Sequence, residues 1–257
     1  MPTALVTGAT AGIGAAFVRL LAREGYDVVL VARDSERLAV CAKQLRASTG
    51  VEVEVLAADL TDAGQRESVE ERLADPHRPV DVLVNSAGIG SRRGFVRGTV
   101  GDEERLLHLN VLAVLRLSKV AVDGMVERHR GAIVNVSSVA SFLPYGTYSA
   151  SKAWVTRFSE ALAVELAGTG VRVVALCPGL VRTEFHERAG MDVSSIPGWA
   201  WLNADDVAAA GWRGVVNGQV VVVPGPLYGS LVNVLRHLPS SLATPAARLV
   251  RARRRLH

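Results

Sequence analysis

A tyrosine and a lysine lie four residues apart near the end of the stretch 137–152. If the segment that begins at Tyr148 is helical, its phenol and the ammonium of Lys152 lie on one face, within reach of each other. A nearby ammonium favours the phenolate, so we expect Lys152 to lower the pKa of Tyr148. A tyrosine tuned in this way can exchange a proton with a substrate oxygen. The alternative is a surface Tyr–Lys pair with no chemical role.

The choice of lysine at position 152 is itself informative. Of the 29 basic residues only three are lysines, namely Lys43, Lys119 and Lys152. An arginine guanidinium stays charged, whereas a lysine ammonium can be tuned by its surroundings. A tunable cation therefore follows the tyrosine by one helical turn.

Length and composition predict one large domain. The chain has 257 residues, of which 49% are hydrophobic and 21% charged, so it can bury a substantial core. No apolar run is long enough to span a bilayer, and no secretory signal precedes the first strand. Cys41 and Cys177 have no metal-ligand spacing and fit buried thiols in a reducing compartment. We expect a cytoplasmic protein and no metal site.

The basic character of the chain is local. The net charge is +4, yet five arginines fall in the last ten residues, and without them 24 bases face 25 acids. The body is therefore not expected to bind nucleic acid.

A strand, a glycine-rich turn and a helix open the chain. Residues 3–7 are apolar, and the turn that follows holds Gly8, Thr10, Gly12, Ile13 and Gly14. Glycines let the backbone approach a phosphate, and a helix N-terminus offers N–H groups and positive potential. The spacing GxxxGxG is a variant of the dinucleotide fingerprint GxGxxG. The alternative is an ordinary glycine-rich turn.

The end of the second strand indicates which dinucleotide binds. Residues 27–32 form this strand, and Arg33 and Arg37 follow it. An acid at this place binds ribose hydroxyls, whereas an arginine accommodates a 2′-phosphate, so NADP(H) is expected rather than NAD(H). After the third strand come Asp59 and Leu60; Asp59 is expected either to contact the adenine or to cap the next helix.

Strands and helices alternate regularly along the chain, with no internal repeat or linker. This order predicts an α/β fold, a single-domain Rossmann-type doubly wound parallel sheet of about seven strands with helices on both faces. We place this domain at residues 1–225. The predicted strands are 3–7, 27–32, 51–57, 80–84, 132–136, 171–176 and 219–223.

Several polar or small residues are predicted at the carboxyl edge of this sheet, where ligands bind in such folds. Small residues after the fourth strand suit a cofactor that passes close to the backbone, although an ordinary tight turn is the alternative. Ser137 and Ser138 follow the fifth strand, and the turn at Pro178 and Gly179 offers N–H groups for a carboxamide. Asn110 lies within an apolar helix predicted at 102–128, which is unfavourable unless its amide is hydrogen-bonded, for structure or for catalysis.

The segment 184–203 lacks a clean period but carries many large apolar residues. It is interpreted either as a lid over an apolar pocket or as a packed core loop.

Taken together, these motifs resemble the short-chain dehydrogenase/reductase family over roughly residues 3–225. TGATAGIG, the strand-end arginine, NSAG, the asparagine of LNV, the VSS serine, YSASK and PGLVRT occur in the family's order. The resemblance implies that Tyr148 donates or accepts the proton, and that Lys152 lowers its pKa and binds the nicotinamide ribose. It also implies that Ser138 orients the substrate oxygen and that Asn110 holds a water in a proton relay.

The same resemblance implies a cofactor site. The glycines would face the pyrophosphate, the residues after the fourth strand would line the adenosine side, and the PGLVRT turn would hold the carboxamide. The expected cofactor-binding residues are Gly8, Thr10, Gly12, Ile13, Gly14, Arg33, Arg37, Asp59, Leu60, Asn85, Ala87, Gly88, Tyr148, Lys152, Pro178, Gly179, Val181 and Thr183.

Two departures from the family pattern matter. Ser138 and Tyr148 are ten residues apart, two or three fewer than usual, so Ser137 is an alternative to Ser138. Ala11 replaces a basic residue sometimes found in the glycine motif, so the NADP(H) preference rests on Arg33 and Arg37. The expected activity is interconversion of a ketone and a secondary alcohol, as a reductase of a hydrophobic carbonyl. A non-catalytic NADP-binding redox sensor or regulatory protein is the alternative.

The residues 226–257 extend beyond the family's usual end. They are predicted to form two amphipathic helices separated at Pro239, the second strongly basic. One hypothesis is a weak contact with an anionic membrane surface or a lipid-bearing substrate. Packing on the body with solvated arginines is the alternative. A third hypothesis is that the extension covers the edge of the last strand and limits assembly to a dimer through the two long helices that contain Asn110 and Tyr148. The expected assembly is a homo-oligomer, either a dimer or a tetramer.

Overall fold

The computed structural model describes residues 1–91 and 94–237, without the side chains of residues 236 and 237. Its sheet has seven parallel strands in the order β3-β2-β1-β4-β5-β6-β7. The strands are β1 (Thr3–Thr7), β2 (Asp27–Ala32), β3 (Val53–Ala57), β4 (Val82–Asn85), β5 (Gly131–Val136), β6 (Val171–Leu176) and β7 (Val221–Val222). Since β1 lies between β2 and β4, the chain winds outward in both directions. The predicted doubly wound Rossmann-type fold is confirmed.

Helices cover both faces of the sheet. They are α1 (Gly12–Arg23), α2 (Ser35–Thr49), α3 (Ala63–Ala74), α4 (Val100–Leu107), α5 (Ala113–Glu127), α6 (Gly146–Glu165), α7 (Phe185–Arg188), α8 (Ala204–Val216) and α9 (Pro226–His237). None of these helices combines the length and the hydropathy that crossing a bilayer requires.

The strands are apolar on both faces because each face of the sheet is covered. In β1, Ala4 and Val6 belong to the core under α1 and α8, whereas Leu5 belongs to the core under α3 and α5. All three side chains are fully buried. This alternation explains why the strands read as continuous apolar runs rather than as amphipathic ones.

Local signals set several of the helix ends. Asp34 caps α2 by accepting a hydrogen bond from the backbone N–H of Arg37, and Gly50 ends that helix with a φ of 71°. Thr99 and Asp102 form a reciprocal capping box at the start of α4. Such caps satisfy backbone groups that a helix end leaves without partners.

The structure differs from the sequence predictions most clearly in two elements, and β3 and β4 each begin two residues later than predicted. The long helix predicted at 102–128 is interrupted by a π-helical turn at His108–Leu112, between α4 and α5. The last strand is two residues long because Gln219 donates its backbone N–H to Gly214, which keeps the start of the predicted strand in a turn. α9 covers the first helix predicted in the extension, and the second lies outside the described residues.

Candidate active site

Ser138, Tyr148 and Lys152 come together at the carboxyl end of β5. Tyr148 and Lys152 are on the first turns of α6, and the Lys152 Nζ lies 6.0 Å from the centroid of the Tyr148 ring. Ser138 follows β5 and shares a hydrogen bond with Tyr148. Its hydroxyl also accepts from the backbone N–H of Ala140 at 3.1 Å, which starts a short 3₁₀ turn. The ten-residue spacing therefore still brings serine and tyrosine into contact.

Ser137 has a different place. It is buried, and its hydroxyl donates to the backbone carbonyl of Lys152 at 2.8 Å and lies 2.7 Å from the Thr156 hydroxyl. These contacts hold β5 against α6. Ser137 is thus a support for the lysine's helix, and Ser138 is the serine beside Tyr148.

Burial dominates the protonation of the Tyr–Lys pair. It raises the pKa of Tyr148 to about 12, although the hydrogen bond with Ser138 acts in the opposite direction. It lowers the pKa of Lys152 to about 8. Lys152 is 6% exposed, and its ammonium donates to the carbonyl of Val136 at 2.8 Å. The net pKa of Tyr148 is therefore raised and not lowered, because desolvation disfavours the phenolate. A lowering of this pKa by Lys152 stays a prediction.

Asn110 lies in the π-helical turn and is fully buried. Its Nδ2 donates to the carbonyl of Ile89 at 2.9 Å, and its Oδ1 accepts from the backbone N–H of Ile89 at 3.0 Å. The same Nδ2 lies 3.3 Å from the Ser151 hydroxyl. The amide thus fastens the loop after β4 to α6. A part in a proton relay remains a prediction.

The glycine-rich turn has the geometry of an anion cradle. Gly8 and Gly12 adopt φ values of 68° and 52°, a region that favours glycine. A Cβ on Gly14 would lie 2.3 Å from the carbonyl oxygen of Gly8. α1 begins at Gly12, and no side chain caps it at Ala11. Its first N–H groups are therefore available to a phosphate, so these residues fit a dinucleotide pyrophosphate.

At the end of the cavity where the adenosine is predicted to bind, Asp59 lies between two arginines. Its Oδ2 is 3.7 Å from Arg33 Nη1 and 3.2 Å from Arg105 Nη2. Burial raises the pKa of Asp59, but hydrogen bonds from Thr61 and the two guanidinium groups outweigh it, so the net pKa is lowered. Asp62, not Asp59, caps α3. The sequence analysis missed Arg105 because this residue arrives from α4, 46 positions after Asp59.

Arg37 lies outside the cavity, where its guanidinium makes contacts within the protein. Its guanidinium binds both oxygens of Glu184, at 2.7 and 3.0 Å, and the carbonyl of Thr10 at 3.0 Å. These contacts join the start of α2, the glycine-rich turn and the segment 184–203. Arg37 is not among the residues that line the cavity, so its predicted contact with a 2′-phosphate is replaced by this ion pair.

Asn85 is also displaced from its predicted role. It is buried, and its Nδ2 donates to Asn135 Oδ1 at 2.9 Å and to the Ser118 hydroxyl at 3.2 Å. Asn135 in turn donates to the Ser159 hydroxyl at 3.0 Å. The side chain of Asn85 therefore belongs to a polar network inside the fold, whereas the next residues, Ser86, Ala87 and Gly88, border the cavity at this strand end.

A tyrosine from the C-terminal helix supports the turn after β6. A Cβ on Gly179 would lie 2.2 Å from the Tyr228 ring, so only glycine permits this packing. The Tyr228 hydroxyl accepts from the backbone N–H of Leu180 at 3.2 Å and donates to the carbonyl of Ala200 at 2.7 Å. α9 thus packs against the turn that is predicted to hold a carboxamide and stabilises it.

The segment 184–203 borders the cavity next to Tyr148. The Phe185 and Tyr148 ring centroids are 5.7 Å apart, and His186 packs edge-on between Phe185 and Trp201. A Cβ on Gly90 would lie 2.9 Å from the Cβ of Ala189, so the segment touches the loop after β4. It is therefore a wall of the cavity, and its movement as a lid stays a prediction.

These parts surround one cavity of about 980 Å³. Thr10, Gly14, Arg37, Asn85 and Asn110 do not line it. The predicted site residues that do line it are Gly8, Gly12, Ile13, Arg33, Asp59, Leu60, Ala87, Gly88, Ser138, Tyr148, Lys152, Pro178, Gly179, Val181 and Thr183. Within the described part of the chain, no cluster of three or more His, Cys, Asp or Glu could hold a metal.

Comparison with known proteins identifies the family. The model of the short chain dehydrogenase family matches residues 2–193. The chain belongs to the short-chain dehydrogenase family. Ketoacyl reductase HetN of a Nostoc species is 31% identical over 97% of this chain and 88% of its own length. The NADP-dependent 3-hydroxy acid dehydrogenase YdfG of Salmonella typhi is 35% identical over 81% of this chain and 86% of its own length.

Solved structures of this short-chain dehydrogenase family match almost the whole chain. A short-chain dehydrogenase from Sphingobium yanoikuyae in complex with NADPH has a TM-score of 0.84 and 37% identity, and covers 93% of this chain and 97% of its own. A bulky-bulky ketone specific alcohol dehydrogenase from Comamonas testosteroni has a TM-score of 0.79 and 31% identity, and covers 93% of this chain and 96% of its own. The family acts on CH–OH and C=O groups, so the chain is an oxidoreductase.

Proposed function

We propose that the protein reduces a hydrophobic ketone to a secondary alcohol with NADPH. The proposal rests on the contact of Ser138 with Tyr148. Both residues line the cavity, as does the buried Lys152. NADPH, when bound, supplies the hydride. Tyr148 delivers a proton to the carbonyl oxygen as negative charge develops there, and the Ser138 hydroxyl orients and stabilises that oxygen.

The high pKa of Tyr148 is compatible with this direction. A phenol whose pKa is about 12 stays protonated at neutral pH, as a proton donor to a reduced carbonyl must be. Lys152, held by the carbonyl of Val136, places a positive charge at the edge of the cavity near Tyr148. That charge favours the phenolate left after proton transfer.

The walls of the cavity support this substrate class. Phe185 and Ala189 line the cavity, and the Phe185 ring lies 5.7 Å from that of Tyr148. Apolar walls with a few convergent polar groups suit a lipophilic ligand. The relatives named as a ketoacyl reductase and a bulky-ketone alcohol dehydrogenase support a bulky or acyl-chain ketone.

Turnover by a Tyr148→Phe variant tests the reaction. We expect loss of ketone reduction by at least about a hundredfold, the usual size of a general-acid contribution, with NADPH binding unchanged. Ser138→Ala is expected to lower turnover less, because it removes one of two donors. Unchanged turnover in Tyr148→Phe would refute the mechanism. NADPH binding without turnover of any carbonyl in the wild type would instead favour a redox sensor.

Arginine substitutions test the cofactor preference. Arg33 and Arg105 line the adenosine end, so we expect Arg33→Ala and Arg105→Ala each to weaken NADPH binding about tenfold or more while NADH binding changes little. Arg37→Ala is the matched control: because Arg37 is bound to Glu184, it should affect both cofactors equally. Fluorescence titration with each cofactor measures this. Equal binding of NADPH and NADH to the wild type would overturn the preference.

For assembly we propose a homodimer through α5 and α6. Leu115 of α5 and Val164 of α6 are 39% and 76% exposed, which suits a surface that a second copy covers. Sedimentation of the wild type and of Val164→Glu would test this, with the expected result that the variant is monomeric. We also expect the protein to act in the cytoplasm.

A further inference from the structure

The segment 184–203 leaves the body and rejoins it at one place, where two short stretches of backbone are hydrogen-bonded. Leu202 donates its N–H to the carbonyl of Leu180 at 2.8 Å, and Arg182 donates its N–H to the carbonyl of Leu202 at 3.1 Å. We call the two stretches, residues 180–182 and 200–202, the neck. The first stretch continues the turn after β6, and the second ends the wall of the cavity.

Tyr228 of α9 joins the two stretches of the neck through one oxygen. Its hydroxyl accepts from the N–H of Leu180 at 3.2 Å and donates to the carbonyl of Ala200 at 2.7 Å. Tyr228 and Ala200 are both 8% exposed, and the Tyr228 ring fills the space that a Cβ on Gly179 would need. The hydroxyl therefore holds the neck firmly, because buried groups that lose a hydrogen-bond partner are unfavourable.

The first stretch of the neck lies among the predicted contacts of the nicotinamide. Gly179, Val181 and Thr183 line the cavity, and the turn that contains them is predicted to bind the carboxamide. Tyr228 is not among the residues that line the cavity. Its hydroxyl can act on the cofactor through the backbone that it holds.

The neck also fixes the start of the apolar wall. Phe185 follows the first stretch closely in the chain and lines the cavity, and its ring centroid lies 5.7 Å from that of Tyr148. A displacement of the neck would therefore move the carboxamide contacts and this wall together.

We propose that Tyr228 is a positioning residue for the reduction. Its hydroxyl fixes the neck, and the neck holds the carboxamide of the nicotinamide in place relative to the apolar wall at Phe185. The inference rests on the proposed function, because it takes the turn after β6 as the binding place of the carboxamide.

Binding by Tyr228→Phe tests the proposal, because this variant loses the hydroxyl and keeps the ring beside Gly179. The probes are NADPH and ADP-ribose 2′-phosphate, which is the cofactor without its nicotinamide. Tyr228→Phe should bind NADPH about tenfold more weakly, the size of effect that one or two lost hydrogen bonds give. It should bind ADP-ribose 2′-phosphate as the wild type does, which also shows that the variant is folded. Calorimetric titration measures both affinities.

Tyr26→Phe is the matched control. The Tyr26 ring packs edge-on against Trp212 of α8, and Tyr26 does not line the cavity. This variant should bind both probes as the wild type does.

Backbone hydrogen exchange without ligand gives a readout of the neck itself. The N–H groups of Leu180 and Leu202 should exchange about tenfold faster in Tyr228→Phe, whereas those of β6 should be unchanged. In turnover of a ketone, the KM values for NADPH and for the ketone should both rise several-fold. A smaller fraction of folded enzyme would instead lower kcat and leave both KM values unchanged.

Two outcomes would overturn the proposal. Equal weakening of NADPH and ADP-ribose 2′-phosphate would show that the hydroxyl supports the fold as a whole. Unchanged affinity for NADPH with unchanged exchange at Leu180 and Leu202 would show that the neck is held without the hydroxyl. If the binding and exchange results are as expected but the wild type reduces no ketone, the proposed function fails, and the effect of Tyr228 on the cofactor is still supported.

Discussion

Lys152 and Tyr148 show how one buried environment acts on two titratable residues. Desolvation disfavours the charged form of each, so it lowers the pKa of Lys152 to about 8 and raises that of Tyr148 to about 12. Their four-residue spacing predicts that they are close, and they are. It does not predict how deeply α6 packs against β5, and that depth decides the sign of the Tyr148 shift.

The buried ammonium of Lys152 should cost the folded protein stability. At neutral pH Lys152 is charged in both states, and its pKa is lowered from 10.5 to about 8, which corresponds to a cost on the order of 3 kcal/mol. We expect Lys152→Met to raise the free energy of unfolding at pH 7, by about 1–3 kcal/mol, and to abolish turnover. Urea unfolding without added cofactor measures the first effect.

The pH dependence of the free energy of unfolding provides a second test of this prediction. Between about pH 8 and 10.5 the unfolded chain keeps the proton that folded Lys152 has lost, so the wild type gains stability as the pH rises through this window. The advantage of Lys152→Met should therefore shrink at about pH 9.5. Lys119→Met, at a side chain that is 70% exposed, should show neither effect. An advantage that is independent of pH would contradict the assignment.

At the scale of elements, the boundaries that the sequence predicts well are those set by local signals. β1, β2 and β6 have their predicted bounds, because each is a mainly apolar run that is followed by a glycine, by an arginine or, after Cys177, by a proline. The π-helical turn at His108–Leu112 was not predicted, since its cause is tertiary: Asn110 reaches Ile89, 21 residues earlier in the chain. Arg105 was missed at the site for the same reason.

Gly14 offers a test of the turn between β1 and α1. A methyl group there would meet the Gly8 carbonyl oxygen at 2.3 Å, so Gly14→Ala should destabilise the protein by about 2–4 kcal/mol and weaken NADPH binding. Gly64, on α3, has its nearest contact at 3.6 Å. Gly64→Ala should therefore stabilise the protein by about 0.5–1 kcal/mol. Thermal unfolding of the Gly14→Ala and Gly64→Ala variants measures both changes in stability. Equal changes in the two variants would show that the turn rearranges to accommodate the methyl group.

At the scale of the whole molecule, the Arg37–Glu184 ion pair joins parts that are far apart in the chain. It connects α2 and the glycine-rich turn to the segment 184–203 beside the cavity. Both side chains are about 40% exposed, so the pair adds less than about 1 kcal/mol to stability. Its larger effect is expected on how easily this side of the cavity opens.

Glu184→Ala should release bound NADPH several-fold faster, with a fall of less than about 1 kcal/mol in the free energy of unfolding. Displacement of NADPH in a stopped-flow instrument measures the rate, and high salt should reproduce part of the effect in the wild type. The exposed Glu187, on the same short helix, provides the control as Glu187→Ala. Equal release rates in all three proteins would mean that the ion pair does not restrain the cofactor.

The hydrogen-bonded asparagines of β4 and β5 favour one register between these two strands. Asn85 lies opposite Asn135, and the two amides are bonded to each other and to Ser118 and Ser159. Sliding one strand by two residues would keep the apolar side chains facing inward but would separate the amides, each left buried at a cost of about 1–3 kcal/mol. A misaligned pairing of β4 with β5 is thus less stable than the native one. The height at which Ser138 leaves the sheet, relative to Gly88, is therefore set by two residues that do not line the cavity.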